Sequence, residues 1–344
     1  SETRDSVYEH CKRAMEHSYK LGEHELPLMG SGDWNDGYNG VGIEGKGESV
    51  WLALFMAITF ERFSEVAKHR GDGRFEHECK DRATRLKQSV EEHCWDGQWY
   101  IRAFYDNGDK MGSHEQKECQ IDSLSQSFAA LAKLTNYQRI SIALTNAMER
   151  LVDSKGRLIR LFTPAITAKG QRAGYVASYP PGIRENGGQY THGAIWFVMA
   201  LYEAGEREYA YELVEMLSPA HKHLSKPLSE RYRNEPYYMS ADVYTNYDCY
   251  GRGGWSIYTG AASWYYKLIL EHILGIRRKG DTITVSPAIP SKWSGFNAKM
   301  RFGESEITLA LTRGNNKGMI IDGKESERNV VVLDGNSHNV QVII

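Results

Sequence analysis

A chain of 344 residues with 41% hydrophobic and 25% charged residues has an ordinary globular composition and is long enough for two domains. A net charge of −2 with no basic run excludes a dedicated nucleic-acid surface, so no nucleic-acid partner is expected. The longest apolar run, residues 51–60, is broken by Glu61 and Arg62 and is too short to span a bilayer. Five widely spaced cysteines (Cys11, Cys79, Cys94, Cys119, Cys249) without a Cys-x-x-Cys pair fit reduced thiols in a cytoplasmic compartment and imply no zinc site. The opening Ser-Glu-Thr-Arg, without Met, is that expected of a processed or excised piece.

Residues 5–21 read as a helix, with Val7, Cys11 and Ala14 on one face and Gly22 as its stop. Ser49 caps a strongly apolar helix to about residue 69, with Trp51, Phe55 and Phe63 inward. A further helix covers 75–94, and residues 95–105 read as a turn and short strand. Helices resume at 122–134, 137–152, 191–204, 206–217 and 257–274, separated by Gly- and Pro-bearing loops. After Leu274 the pattern changes to short β-branched, alternating runs at 281–285, 296–302, 306–311 and 329–333, which predicts a small antiparallel β module. The expected layout is a helical region over 1–275 and a β domain over 276–344. Helix pairs joined by long loops point to a helical toroid rather than a four-helix bundle.

The chemistry concentrates in those loops. Residues 30–42 hold five glycines, which rule out regular structure, yet also carry Asp33, Trp34, Asn35, Asp36 and Tyr38. A tight loop that brings acids and an aromatic face to a sugar uses residues this way, and so does a plain Asp/Asn/Gly turn. An EF-hand register fails, because Tyr38 falls where Gly is required. A second loop, Tyr179-Pro-Pro-Gly-Ile-Arg-Glu-Asn-Gly-Gly-Gln-Tyr-Thr-His192, carries Arg184, Glu185 and His192 into an apolar helix. A third runs through Asp242-Val-Tyr and Gly251-Arg-Gly-Gly-Trp to Thr259-Gly260 at another helix start. Free N–H groups and the positive dipole end at such starts suit an anion such as phosphate. Each piece also has a plainer reading: His192 bonded to a carbonyl, Thr259 as a routine N-cap, Glu185 paired on the surface with Arg184 or Arg172.

Three motifs taken together, Gly-Asp33-Trp-Asn-Asp36-Gly, Arg-Glu185-Asn-Gly-Gly-Gln-Tyr-Thr-His192 and Tyr-Thr259-Gly260-Ala-Ala-Ser-Trp264, resemble glycoside hydrolase family 94, the inverting glycoside phosphorylases. The phosphorylase-like C-terminal region of cyclic β-1,2-glucan synthases is nearest in character, and the resemblance runs along nearly the whole chain. It implies a mainly α fold, the C-terminal part of an (α/α)6 barrel followed by a small β domain. It implies Asp36 as general acid, Trp34, Arg184 and Glu185 as sugar contacts, and His192, Thr259 and Gly260 as the phosphate site. The family often carries Lys at the position of Arg184. Inorganic phosphate is then the co-substrate, with no metal and no other cofactor, and a β-linked glucan or disaccharide is the sugar partner. A complete member also has an N-terminal β-sandwich and the first part of the barrel, so an upstream region of the same polypeptide, or another chain supplying it, is an expected partner. The wider setting implied is the cytoplasmic part of a larger membrane-bound synthase.

Inverting cleavage normally needs an acid for the leaving oxygen and a base to activate water. Phosphate is already an anionic nucleophile, so a phosphorylase needs only the acid and an anion site, and a β-glucoside yields α-glucose 1-phosphate. Asp33 beside Asp36, with partial burial, is expected to keep the proton on Asp36. The rivals are an inverting hydrolase with Glu185 as base and a carbohydrate-binding fragment without turnover. Because only about eight of twelve barrel helices can be counted, apolar stripes such as Trp51, Phe55 and Phe63 or Ile195 and Val198 are expected to be exposed on open flanks.

Overall fold

The computed structural model describes residues 4–167 and 172–344. Nine α-helices are found among them: α1 (Val7–Ser18), α2 (Val50–His69), α3 (Gly73–His93), α4 (Ser123–Leu131), α5 (Tyr137–Leu151), α6 (Thr191–Glu203), α7 (Arg207–Leu217), α8 (Lys226–Tyr232) and α9 (Thr259–Lys267), the last running into a π-helical segment, Leu268–Ile273. Helices α2, α4, α6 and α9 pack side by side in chain order, while α3, α5 and α7 each back onto the helix before them. The sequence accounts for this division into two rows. Helix α6 is apolar all round and buries nearly every side chain, as an inner helix must, whereas α5 buries a single stripe (Ile140, Ala143, Leu144, Ala147, Leu151) and leaves its other face to water.

The sequence expectation missed α8. Its Lys-Pro-Leu-Ser-Glu-Arg-Tyr has no apolar periodicity, and a proline in the first turn rather than a buried stripe starts it. Trp51, Ile195 and Val198 are buried, contrary to the expectation of open flanks, because α4 and α9 cover those faces of α2 and α6. Phe63 is half-buried against Tyr8 of α1 and Phe75 of α3. Phe55 alone of that group is exposed, at 41%.

From Ile276 onward the chain is all strand and turn. One sheet contains Ile276–Lys279, Thr282–Val285 and Val330–Val332. A five-stranded sheet contains Gly295–Phe302, Ser305–Thr312, Gly318–Ile321, Lys324–Ser326 and Ser337–Ile343. The module is not wholly antiparallel as predicted: Ser305–Thr312 pairs in parallel with Ser337–Ile343, from Glu306 opposite Ser337 to Thr312 opposite Ile343. Between them the chain makes a hairpin and visits the other sheet, a detour long enough to bring it back in the same direction. Along Ser305–Thr312 the residues Ile307, Leu309 and Leu311 face inward in strict alternation. No helix among the described residues is long and apolar enough to cross a membrane.

Candidate active site

Each inner helix is entered from a loop that carries polar or aromatic residues, and these loops meet. The first, residues 30–49, is wired to the start of α2. Asp33, with its side chain fully buried, accepts the Asn35 N–H (2.9 Å) and the Ser49 hydroxyl (2.6 Å), and Ser49 itself caps α2 by accepting the Leu52 N–H. The Asn35 side chain accepts from Gly37 N, closing the single 3-10 turn Asp36–Tyr38. Arg102, fully buried in the apolar run before the second loop, pairs with Asp33 at 2.6 Å and approaches Asp122 at 3.6 Å. Its guanidinium lies 5.2 Å from the Tyr38 ring centroid. Asp122 caps α4 through Leu124 N (2.7 Å) and accepts the Tyr38 hydroxyl (3.3 Å). Burial pushes the Asp122 carboxyl up to about 6, against the opposing pull of Arg102. Arg102 and Asp122 were not among the predicted site residues. The usable signal was a lone arginine inside Trp-Tyr-Ile-Arg-Ala-Phe-Tyr, since a charge in an apolar run implies a buried counter-ion.

Asp33 and Asp36 therefore do different jobs. The carboxylate of Asp33 is neutralised by Arg102, while Asp36 sits exposed on the turn. The partial burial expected of Asp36 is not found, and the neighbouring Asp33 is engaged by Arg102. Another group stands beside Asp36 instead. The 3-10 turn Tyr175–Ser178 packs on the Asp36 turn, with Asn39 accepting the Tyr175 N–H at 2.9 Å. Burial first, and then a hydrogen bond to Asp36, raise the Tyr175 phenol.

Trp34 carries the loop across to α6. Its ring lies 5.2 Å from Tyr190, 5.1 Å from His192 and 5.0 Å from Trp196, centroid to centroid. His192 is the second residue of α6, and burial alone lowers its imidazole to about 4, so the ring is neutral at physiological pH. Its Nε2 is buried without a hydrogen-bond partner among the described residues. Gly260, in the first turn of α9, is its neighbour: a Cβ there would lie 3.7 Å from His192 Nδ1. The N-cap residues of α6 and α9, Tyr190 and Tyr258, offer no side-chain cap, and their hydroxyls meet at 2.7 Å. Two helix starts without side-chain caps thus lie together, each with the positive end of its dipole at the junction; the first amide of α6, Thr191 N–H, is taken by Ala241 O at 2.8 Å. Thr259 opens α9, but its side chain lies outside the described residues.

The second loop ends in a tight turn tipped by Arg184, which takes a left-handed conformation (φ +51°). Buried Asn186 holds the turn by bonding Ile166 through both its N–H and its carbonyl, and Tyr179 O as well. Glu185 is buried rather than on the surface, and Arg172 pairs with Asp109 instead. Burial, reinforced slightly by Asp36, raises the Glu185 carboxyl. The short strand Gln189–Tyr190 pairs with Asp242–Val243, setting Asp242 opposite Tyr190. The structure therefore brings Trp34, His192 and Gly260 into one group and Arg184 and Glu185 into another, with Asp36 in electrostatic reach of Glu185. No trio of His, Cys, Asp or Glu suited to a metal ion occurs among the described residues.

This is a two-row helical protein whose inner-helix entry loops bring together carboxylates, aromatic rings and two helix starts without side-chain caps. The chain belongs to the glycosyl hydrolase 94 superfamily, whose catalytic domain matches residues 1–275. It is 42% identical over 313 residues to the cyclic beta-(1,2)-glucan synthase NdvB of Rhizobium meliloti (strain 1021), covering 91% of this chain and 11% of that protein. It is 32% identical to the solabiose phosphorylase of Paenibacillus borealis, covering 98% of this chain and 44% of the relative. Against the N,N'-diacetylchitobiose phosphorylase of Vibrio furnissii the identity is 29%, with 98% and 42% covered. The chain thus spans less than half the length of each of these relatives. Among solved structures, a sialidase superposes with a TM-score of 0.59 at 14% identity, over 85% of this chain and 26% of the other, a likeness of fold alone.

Proposed function

We propose that the chain carries the acid and the anion site of an inverting glycoside phosphorylase acting on a β-linked glucoside or glucan, β-1,2-glucan being the favoured class. The observation that supports this most is the junction of two uncapped helix starts, α6 and α9, beside His192 and within ring contact of Trp34 on the acid loop. In this reading phosphate lies against the first turns of both helices, beyond the Thr191 N–H that Ala241 O occupies, and the neutral imidazole of His192 adds a hydrogen bond rather than a charge. Thr259 and Gly260 complete that anion site, the glycine leaving room for close approach. Asp36 protonates the leaving glycosidic oxygen, with Tyr175 beside it to orient the carboxyl. Trp34, Arg184 and Glu185 hold the sugar. Phosphate attacks the anomeric carbon from the face opposite the leaving oxygen and gives α-glucose 1-phosphate, so no second carboxylate is needed as base.

The membership of the family and the phosphorylases among the relatives support the reaction class, and the NdvB match supports a β-1,2-glucan setting within a longer polypeptide. In that setting further helices, from the same polypeptide or another chain, would cover exposed Phe55 and complete an (α/α)6 barrel over 1–275, with 276–344 as the appended β domain. The test is turnover of β-linked gluco-disaccharides with and without inorganic phosphate, by wild type and Asp36→Asn. Sugar 1-phosphate forming only with phosphate, and a loss of ~10²–10⁴-fold in the variant with an unchanged melting point, are the expected results. Free glucose released equally without phosphate points to a hydrolase, and an active Asp36→Asn removes the acid assignment.

A further inference from the structure

One buried acid of the site has no role in this reading. Asp242 is completely buried, and its carboxylate faces the same Arg184 nitrogen as that of Glu185. Arg184 Nε stands 3.5 Å from Glu185 Oε2 and 3.8 Å from Asp242 Oδ2. A closed guanidinium–carboxylate hydrogen bond is about 2.7–2.9 Å long, so the cation has closed on neither acid. All three facing atoms, Arg184 Nε, Glu185 Oε2 and Asp242 Oδ2, are buried without a hydrogen-bond partner among the described residues. Adjacent Arg and Glu side chains left to themselves would pair off.

We infer that Asp242 is a positioning residue that holds Arg184 off Glu185, leaving the Glu185 carboxylate free to accept a hydroxyl of the bound sugar. The inference rests on the phosphorylase reading for its sugar, and it names the device that makes that sugar contact available. Asp242 is fixed well enough to do this. The strand pairing with Tyr190 sets its backbone, and its Oδ1 accepts the Trp255 N–H at 3.2 Å. Gly254 closes over it so tightly that a Cβ there would fall 1.8 Å from Asp242 Oδ1. The guanidinium is also confined, 5.3 Å from the Tyr179 ring centroid and 4.5 Å from that of Trp255, which keeps it from sliding onto either acid. The cluster carries two carboxyl groups for one cation. Desolvation raises both acids, Asp242 to about 6, and the neighbouring Glu185 adds to the upward push on Asp242. Such a pair is short of hydrogen-bond donors, and sugar hydroxyls are donors.

The experiment is a binding cycle with methyl β-D-glucopyranoside, read by NMR titration on the full chain, with Asp242→Asn, Glu185→Gln and the double variant. Asp242→Asn keeps the shape and the acceptor for Trp255 N–H but removes the counterweight. It should weaken sugar binding about tenfold, leave phosphate binding unchanged and melt close to wild type. If Asp242 acts through Glu185, the double variant binds no more weakly than Glu185→Gln alone. Full additivity in the double variant, an unchanged affinity in Asp242→Asn, a variant that melts far below wild type, or no binding by wild type would each overturn the inference. Sugar binding that follows the expected cycle while phosphate-dependent turnover is absent would sink the phosphorylase reading and leave the role of Asp242 standing.

Discussion

Replacing Arg102 by Leu tests how the acid loop is held. Arg102 is the cation that faces both Asp33 and Asp122, all three side chains being fully buried, and it also contacts Ser49 Oγ at 3.2 Å. Leucine fills part of the volume but leaves two carboxylates without a counter-ion. Removing one partner of a buried ion pair costs about 3–5 kcal/mol, because the remaining charge is desolvated and unpaired. Against a total stability of about 5–15 kcal/mol that is about a fifth or more of the whole. The loss should depend on pH in a definite direction. Asp122 already sits at about 6, above its usual 3.8, with Arg102 holding it down. Without Arg102 it moves higher, and a carboxyl raised in the folded state contributes stability below that value that is lost as pH rises through it. Urea unfolding followed by circular dichroism should therefore show the larger deficit at pH 8 and a smaller one at pH 5. A deficit below about 1 kcal/mol at pH 8, or one that grows on acidification, would show that the two acids are balanced by something other than Arg102.

Two further outcomes follow from the site. The His192 ring, followed by its NMR chemical shift, should titrate near 4 without phosphate and at higher pH with it; a midpoint near 6.5 in the free protein would mean the ring is not desolvated. Since the unfolded imidazole takes its proton at the higher pH, burying His192 subtracts stability as pH falls from about 6.5 to about 4. Gly254→Ala places a Cβ 1.8 Å from Asp242 Oδ1 and 2.6 Å from Tyr244 Oη, so it should cost about 1–3 kcal/mol in thermal unfolding and weaken sugar binding more than phosphate binding; wild-type behaviour would show that the loop relaxes freely.

The helices were legible because periodicity is local. The predicted 50–69 and 137–152 match α2 and α5 to within a residue, and Ser49 caps α2 as read. Strand runs at 281–285, 296–302 and 306–311 were legible for the same reason, whereas Ser337–Ile343 was missed. Its alternation is regular but short, with only Val340 and Val342 fully buried, and its parallel partner lies about thirty residues back in the chain. The loop chemistry was legible only as a set of residue types. That His192 and Gly260 are neighbours, and that Tyr190 meets Tyr258, depends on the packing of α6 against α9, which no spacing in the chain encodes. The division of labour between Asp33 and Asp36 was misread because their partner, Arg102, lies 69 residues from Asp33 and reaches it only once the loop lies against the start of α2.

The carboxylates of the site fall into three environments, and the difference follows from which cation each can reach. Asp33 closes on the buried guanidinium of Arg102, which stands 3.6 Å from Asp122, and hydrogen bonds from Ser49 to Asp33 and from Tyr38 and Leu124 N to Asp122 fasten the loop and the start of α4. Glu185 and Asp242 also share one guanidinium, but at distances where no bond closes, and their facing oxygens remain unpartnered. Asp36 pairs with no cation among the described residues and stands exposed beside a phenol. An acid that meets a substrate must be reachable from the loop surface, as the third is and the buried first is not. A hydroxyl acceptor must keep a lone pair unspent, which the second supplies in a desolvated setting. In the phosphorylase reading proposed above, the same residue type serves as fastening, recognition and acid within one set of loops, and the placement of Arg102 and Arg184 separates the three.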